Sequence, residues 1–178
     1  MRKTNKDLEL RKEQQYHCIL SGNFITGELI EALAKKYNLI IEDLTISTLS
    51  LSLENIDSMR NLIEGGYVKE LNLIVSDYFY SHERQNLINA IFERCDIGNK
   101  FQLAVSRIHT KIFQIKTEHI YITIYGSANM RSSQNIEQIV IDTSKETYNF
   151  YREFHQEIID KQSIINKNIE KPNKKAKK

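Results

Sequence analysis

The chain has 178 residues, of which 40% are hydrophobic and 27% are charged, with a formal net charge of +2. This length suits one domain with a substantial core and is too short for two. The near balance of charge excludes a global field that attracts nucleic acid, so any basic surface must be local. No apolar run approaches the roughly 18 residues of a membrane span.

The two ends of the chain are polar. Residues 1–15 are predicted to be a charged lead-in, residues 16–163 a single domain, and residues 164–178 a disordered lysine-rich tail. The tail is interpreted as a solubilising end, with a loose phosphate-binding arm as the alternative. The absence of a signal-peptide pattern and of CxxC spacing between the two cysteines favours the cytoplasm.

The first half of the domain alternates helices with strands. Thr26 is predicted to cap a helix whose apolar residues recur on one face as far as Tyr37. Residues 44–51 alternate leucine or isoleucine with small hydroxyl residues, which places the aliphatic side chains on one face of a strand. The elements predicted next are a helix around Met59 ending at Gly65-Gly66, a strand at 71–75, a polar turn at 81–84 and a helix at 87–95.

The second half is richer in strands. Strand-like segments are predicted at 101–105, 108–115, 120–125 and 136–141. A last helix, from about Lys145 to Asp160, shows Tyr148, Tyr151, Phe154 and Ile158 on one side. We interpret the tyrosines as core residues, with base stacking as the alternative. The pattern predicts an α/β fold in which helices cover a mixed sheet.

Residues typical of a phosphate site are concentrated in this second half. His109-Thr110-Lys111 lies in a predicted strand, where positions i and i+2 share a face, so an imidazole and an ammonium would lie side by side. The turn Gly126-Ser127-Ala128-Asn129 follows the next strand and offers a hydroxyl, a carboxamide and backbone N–H groups. Together these groups could bind an anionic oxygen such as that of a phosphate.

Neither motif is decisive alone. With five histidines in the chain, about one half of an HxK match is expected by chance. A GSxN match is expected only a few times in roughly a hundred such chains. The prediction depends on finding both motifs together, in this order and next to predicted strands. It is strengthened by the downstream Asn135-Ile136-Glu137.

Together these residues resemble the HxK, GSxN and downstream glutamate of the phospholipase D superfamily, and its short bacterial nuclease branch above all. The motif-bearing resemblance covers about residues 101–160. It implies an α/β/α sandwich and a phosphodiesterase that needs no metal or other cofactor. In that family a histidine attacks phosphorus to form a phosphohistidine, and a second histidine protonates the leaving oxygen.

The resemblance implies a role for each matched residue. His109 is expected to be nucleophile in one subunit and general acid in the other. Lys111 and Asn129 are expected to hold the nonbridging phosphate oxygens, with help from Ser127. Glu137 is expected to accept a hydrogen bond from the ring nitrogen of His109 that does not attack. Because the chain has one HxK, a complete site implies a C2 homodimer.

The chain departs from the family pattern at one position. The aspartate expected five residues after the motif lysine is Lys116, and Glu118 is a candidate substitute. This change leaves open a non-catalytic nucleic-acid-binding module with a degenerate site. A phospholipid hydrolase or phosphatidyltransferase is a further alternative, although no apolar membrane-facing entrance is identified in the sequence.

Secondary candidates surround the motifs. Gly126, Arg107, Arg131 and Ser133 are secondary phosphate-binding candidates, and Ser132 lies beside them. The other four histidines lack metal-ligand spacing with one another or with a cysteine, and are interpreted as surface or hydrogen-bonded structural residues. The preferred prediction is a homodimeric endonuclease acting on DNA, whose strandedness and base preference are not encoded in phosphate contacts.

Overall fold

The computed structural model describes residues 9–21, 24–131 and 134–165, with Ile165 described by its backbone alone. Residues 1–8, most of the predicted lysine-rich tail, and Ser132 and Ser133 therefore lie outside the described residues. The strands in that part of the chain are β1 Gln15–Leu20, β2 Ile41–Thr48, β3 Leu71–Ser76, β4 Phe101–Ser106, β5 Ile112–Thr117, β6 Tyr121–Gly126, β7 Glu137–Asp142 and β8 Ser163–Ile165. The helices are α1 Thr26–Lys36, α2 Leu53–Glu64, α3 Asp77–His82, α4 Leu87–Cys95 and α5 Lys145–Gln162.

One mixed sheet contains all eight strands, in the order β1-β7-β6-β5-β2-β3-β4-β8. Strands β2, β3 and β4 are parallel neighbours, and the remaining pairings are antiparallel. Helices lie on both sides, which confirms the predicted α/β/α sandwich. No helix in the described ranges is both long and apolar enough to cross a membrane.

One face of the sheet is apolar. Leu44 and Ile46 of β2 lie on this face, as the alternation of residues 44–51 predicted, and they join one core cluster with Leu73 and Phe113. Helices α1 and α2 pack against each other, as do α2 and α4, and all three contribute to the same cluster. This face holds most of the hydrophobic core.

The opposite face carries polar side chains under α5. Its apolar cluster of buried residues is small, with Ile74 and Ala104 meeting Ile158 and Ile159. The other residues buried on this face include Thr45, Ser47, Asn72, Gln102, Gln114, Thr123 and His155. Helix α5 is therefore attached to the sheet by hydrogen bonds and an ion pair as well as by apolar contact.

Several predicted boundaries are wrong. The N-cap of α1 is Ile25 without a side-chain cap, and Thr26 instead donates to the carbonyl of Asn129 at 2.7 Å. Ser81 and His82 end α3, a helix that the polar-turn prediction missed and that Ser76 caps by accepting from the amide of Phe79. The physical reason is that hydroxyl groups serve tertiary contacts and caps equally well.

The last third of the chain needs three further corrections. The strand predicted at 108–115 begins only at Ile112, so His109 and Lys111 lie in the β4–β5 loop. On α5, Tyr148 and Ile158 are buried as predicted, but Phe154 is 36% exposed and the fully buried residue of that turn is His155. Strand β8 continues to Ile165 by pairing with β4, two residues past the predicted domain boundary.

Candidate phosphate site

The two motif segments meet at the edge of the sheet where β2, β3 and β4 end. Lys111 directly precedes β5, and its carbonyl accepts from the amide of Gly126 at 3.4 Å. The antiparallel register, with Ile112 opposite Tyr125, continues this contact into the sheet. The β5–β6 pairing thus brings the HxK and GSxN segments together.

His109 and Lys111 are neighbours because the loop bends, not because they alternate along a strand. The ammonium of Lys111 lies 3.1 Å from Nδ1 of His109 and 2.9 Å from its carbonyl oxygen. The imidazole is exposed, whereas the lysine is half-buried. Partial burial lowers the pKa of Lys111, and the negative charge of Glu137 partly opposes this shift. The lysine and the glutamate are therefore within electrostatic range of each other.

Glu137 is fixed by the GSxN turn. The hydroxyl of Ser127 donates to its carboxylate, and the same hydroxyl accepts from the amide of Gln138 at 3.0 Å. Gly126 makes this approach possible, since a Cβ there would lie 2.1 Å from the carbonyl oxygen of Gln138. The turn thus requires glycine at 126 and holds a hydroxyl and a carboxylate together.

Asn129 lies in the wall of an open cavity of about 350 Å³. Its side-chain oxygen is buried and forms no hydrogen bond with the residues that the structure describes, which is uncommon for a polar atom in a folded protein. The backbone on either side is held by Thr26, which donates to the carbonyl of Asn129, and by Thr48, which accepts from the amide of Met130. The cavity is lined by Phe24, Thr26, Ala128, Asn129, Arg131, Gln134, Asn135 and Glu137.

The two arginine candidates have different surroundings. Arg107 has a 93% exposed side chain and lies 3.8 Å from the carboxylate of Asp77. Arg131 is exposed and lines the cavity beside Asn129. Ser133 lies outside the described residues.

Two sequence-based expectations fail. Within this chain the ring of His109 contacts Lys111 while Glu137 is bonded to Ser127, so the expected hydrogen bond from His109 to Glu137 is not formed. Glu118 is exposed in the β5–β6 turn and pairs with His119, so it does not replace the missing aspartate at the site. The second difference arises because Glu118 follows β5 and Lys111 precedes it, so the two residues lie at opposite ends of that strand.

Lys116 is also remote from the phosphate site. It lies near the far end of β5, roughly 15 Å from Lys111 at the rise of a strand, and pairs with Glu42 at 3.2 Å. Because Lys116 is so far away, a lysine instead of an aspartate at this position takes no side chain away from the cluster of His109, Lys111 and Ser127.

Sequence reasoning missed the residues that hold the two motif segments in place. Thr26 and Thr48 anchor the GSxN turn, and Ser47 accepts from the hydroxyl of Thr110 at 3.0 Å. For Ser47 the available signal was its place in the alternation of β2, which assigns it to the face opposite the aliphatic core.

The fold was compared with known proteins. No protein-family model matches the sequence, and no curated protein matches it. Among solved structures, it is similar to Nuc, a phospholipase D family member from Salmonella typhimurium, at a TM-score of 0.58 and 14% identity, over 84% of this chain and 97% of that one. NucT from Helicobacter pylori gives a TM-score of 0.57 at 15% identity, over 83% and 97% of the respective chains.

The archaeal chromatin protein TrmBL2 gives a lower TM-score of 0.51 at 11% identity, over 84% of this chain and 54% of that one. These similarities give the chain the phospholipase D-like fold. One fold hosts proteins with different activities, so the arrangement of site residues must carry the functional argument.

Proposed function

We propose that this chain is a phospholipase D-like phosphodiesterase, and that it acts as a metal-independent endonuclease on DNA through a phosphohistidine at His109. The observation that carries the proposal is the meeting of His109 and Lys111 with the Ser127–Glu137 pair at one edge of this fold. Phosphoryl transfer needs a nucleophile, which the imidazole of His109 would supply. It also needs groups that stabilise negative charge on the phosphate oxygens, which the ammonium of Lys111, the hydroxyl of Ser127 and the carboxamide of Asn129 would supply.

The proposed reaction has two displacements. A ring nitrogen of His109 attacks phosphorus, the bond from phosphorus to the leaving oxygen breaks, and the second subunit's copy of the histidine supplies the proton to that oxygen. Water then attacks the phosphohistidine, the same second histidine takes the proton of the water, and the nitrogen–phosphorus bond breaks. Lys111 and Asn129 stabilise the charge on the nonbridging oxygens in both steps.

The contact between Lys111 and His109 suggests how substrate binding prepares the nucleophile. An ammonium can only donate, so Nδ1 accepts, and the proton of the neutral ring lies on Nε2. Attack by Nε2 requires that proton to be on Nδ1 instead. A bound phosphate competes for Lys111, which leaves Nδ1 free to donate to a carboxylate, the role proposed for Glu137 of either subunit.

A second copy of the chain is the proposed source of the second histidine. Two large apolar side chains lie beside the GSxN turn, Ile136 with 76% and Ile19 with 70% of its surface exposed. The β1–β7 register, with Leu20 opposite Glu137, brings them close to the site. An isologous contact through this edge would bury both residues and bring the two copies of His109 together.

Nucleic acid is the proposed substrate because cationic side chains lie near the motif residues. Arg107 is almost fully exposed in the loop that carries His109, Arg131 lines the cavity beside Asn129, and such side chains bind the neighbouring phosphates of a polyanion. The chromatin protein of similar fold is described as binding DNA, which supports the same substrate class.

A binding module without turnover is the second candidate. It was suggested by the replacement of the motif aspartate, and the place of Lys116 at the far end of β5 makes it the less favoured of the two. Lys116 is not among the residues that are proposed to act on the phosphate.

The test is cleavage of single- and double-stranded DNA in EDTA by wild type, His109→Ala and His119→Ala, with the mass of each protein measured in solution. His119 is a matched control because its side chain is exposed at the opposite end of β5. We expect dimers throughout and cleavage by wild type and His119→Ala alone. Binding of DNA without cleavage by wild type would favour the binding module.

The homodimer has its own test. Ile136→Lys is expected to give a monomer that does not cleave, whereas Phe150→Lys, which alters an equally exposed side chain on α5, is expected to remain dimeric. Full activity of a monomeric Ile136→Lys protein would contradict a site shared by two subunits.

A further inference from the structure

A chain of buried hydrogen bonds joins α5 to the loop that carries His109. The ring of His155 contacts Gln114 through Nδ1 at 2.7 Å and Ser47 through Nε2 at 2.9 Å. Ser47 in turn accepts from the hydroxyl of Thr110 at 3.0 Å. Thr110 is the residue between the two motif positions, so the chain ends between His109 and Lys111.

The direction of each hydrogen bond follows from its neighbour. The side-chain nitrogen of Gln114 donates to the carbonyl of Tyr148 at 2.7 Å, so its oxygen faces His155 and must accept. Nδ1 of His155 therefore bears the proton, and Nε2 accepts from the hydroxyl of Ser47. The oxygen of Ser47 is then left to accept from Thr110. The Ser47 hydroxyl also lies 3.3 Å from the carbonyl oxygen of Ile112, so its single proton is shared between that acceptor and the nearer Nε2 of His155.

Burial keeps this arrangement in place. His155, Ser47 and Gln114 are each fully buried. Burial lowers the pKa of His155 to about 3, with a smaller contribution from the positive charge of Arg152. The ring is therefore neutral at neutral pH, so Nε2 remains an acceptor.

The loop that carries His109 is held from below at two positions. Ile108 packs against the small apolar cluster under α5, and Thr110 is bonded to Ser47. The residues between and beside them, Arg107 and His109, are exposed. Fixing alternate residues of the loop underneath orients the intervening imidazole outward.

We propose that His155, acting through Ser47 and Thr110, is a positioning residue that sets the orientation of the His109 imidazole. The inference rests on the proposed function only in taking His109 as the reacting group. The relay consists of His155, Ser47 and Thr110, with Gln114 setting its direction. Because misplacement by about 1 Å can cost 100-fold in rate, a hydrogen bond behind the nucleophile affects turnover more than binding.

The test compares Thr110→Val with Thr110→Ser and with Thr123→Val. The first removes the relay hydroxyl with little change of volume, and the second keeps the hydroxyl. The third makes the same substitution on the same face of the sheet, where the buried Thr123 hydroxyl has no hydrogen-bond partner in the described part of the chain. We expect Thr110→Val to lose roughly 10- to 100-fold in kcat with KM changed by less than about twofold, and the other two to remain near wild type.

A double-mutant comparison tests the connection itself. Ser47→Ala removes the middle of the relay, so adding Thr110→Val to it is expected to cause little further loss of kcat. Losses that multiply would show that the two residues act separately and would overturn the relay.

Nuclear magnetic resonance of the histidine rings gives a readout that needs no activity. We expect His155 to show a protonated Nδ1 and an unprotonated Nε2 from pH 7 down to pH 5. We also expect Thr110→Val, but not Thr123→Val, to shift the ring signals of His109. The opposite tautomer of His155, or unchanged His109 signals in Thr110→Val, overturns the proposal.

The two proposals can fail separately. If wild type cleaves no phosphodiester but the ring signals behave as expected, the relay stands as the support of the His109 loop and the proposed function fails. If wild type cleaves and Thr110→Val retains its kcat, the proposed function stands and the relay fails.

Discussion

The two faces of the sheet are built on different principles. The face under α1, α2 and α4 is filled by aliphatic and aromatic side chains, whereas the face under α5 buries Thr45, Ser47, Gln114, Thr123 and His155. Hydrophobic burial is non-directional and supplies most of the folding free energy. Hydrogen bonds between buried groups contribute less net stability but fix orientation. The loop that carries His109 draws its support from the second face, whereas the GSxN turn is anchored by Thr26 of α1 and by Thr48.

The largest expected effect of a substitution is on the apolar face. Phe113 is 1% exposed in the centre of β5, and Phe113→Ala should lower the free energy of unfolding by about 3–5 kcal/mol through lost burial and the cavity left behind. Urea denaturation measures the change. A loss below about 1 kcal/mol would mean that this face is not the main source of stability.

The next residue along β5 tests the polar face. Gln114→Leu removes the acceptor of the His155 Nδ1 proton and the side-chain donor to the carbonyl of Tyr148. The expected cost is about 1–3 kcal/mol of unfolding free energy, with a loss of kcat larger than that caused by Phe113→Ala in folded protein. A larger loss of kcat in Phe113→Ala than in Gln114→Leu would contradict the view that the polar face orients the site residues.

Acid is expected to weaken the polar face selectively. The pKa of His155 is about 3 in the folded chain, below its ordinary value of 6.5. Between these values the unfolded chain binds the proton that the folded chain excludes, so stability is lost as pH falls. The loss from pH 7 to pH 5 is of the order of 2 kcal/mol. Denaturation of wild type and His155→Gln at both pH values measures it, and an equal loss in both proteins would exclude His155 as the cause.

The smallest expected effect is at Thr123. Its buried hydroxyl makes no hydrogen bond within the described residues, so Thr123→Val removes a desolvation cost and should raise the free energy of unfolding by up to about 1 kcal/mol. Thermal denaturation at neutral pH detects the change. Destabilisation would show that the hydroxyl has a partner and that this face is more completely bonded than the structure indicates.

The sequence by itself determined the order of the elements and the composition of the site. The alternation of aliphatic and hydroxyl residues in β2 predicted one apolar face, because side chains on a strand alternate by geometry alone. His109, Lys111, Gly126, Ser127, Asn129 and Glu137 were also predicted from the sequence. The resemblance that they carried led to the phospholipase D-like fold that the structural comparisons show.

Only the tertiary structure decided how these residues are held. The burial of His155 and the exposure of Phe154 depend on what α5 faces, and an apolar period alone predicts the reverse. Thr26, Ser47 and Thr110 form hydrogen bonds to residues up to 108 positions away. A hydroxyl suits a cap, a turn or a buried contact equally well, so its partner is chosen by packing across the sheet and not by local sequence.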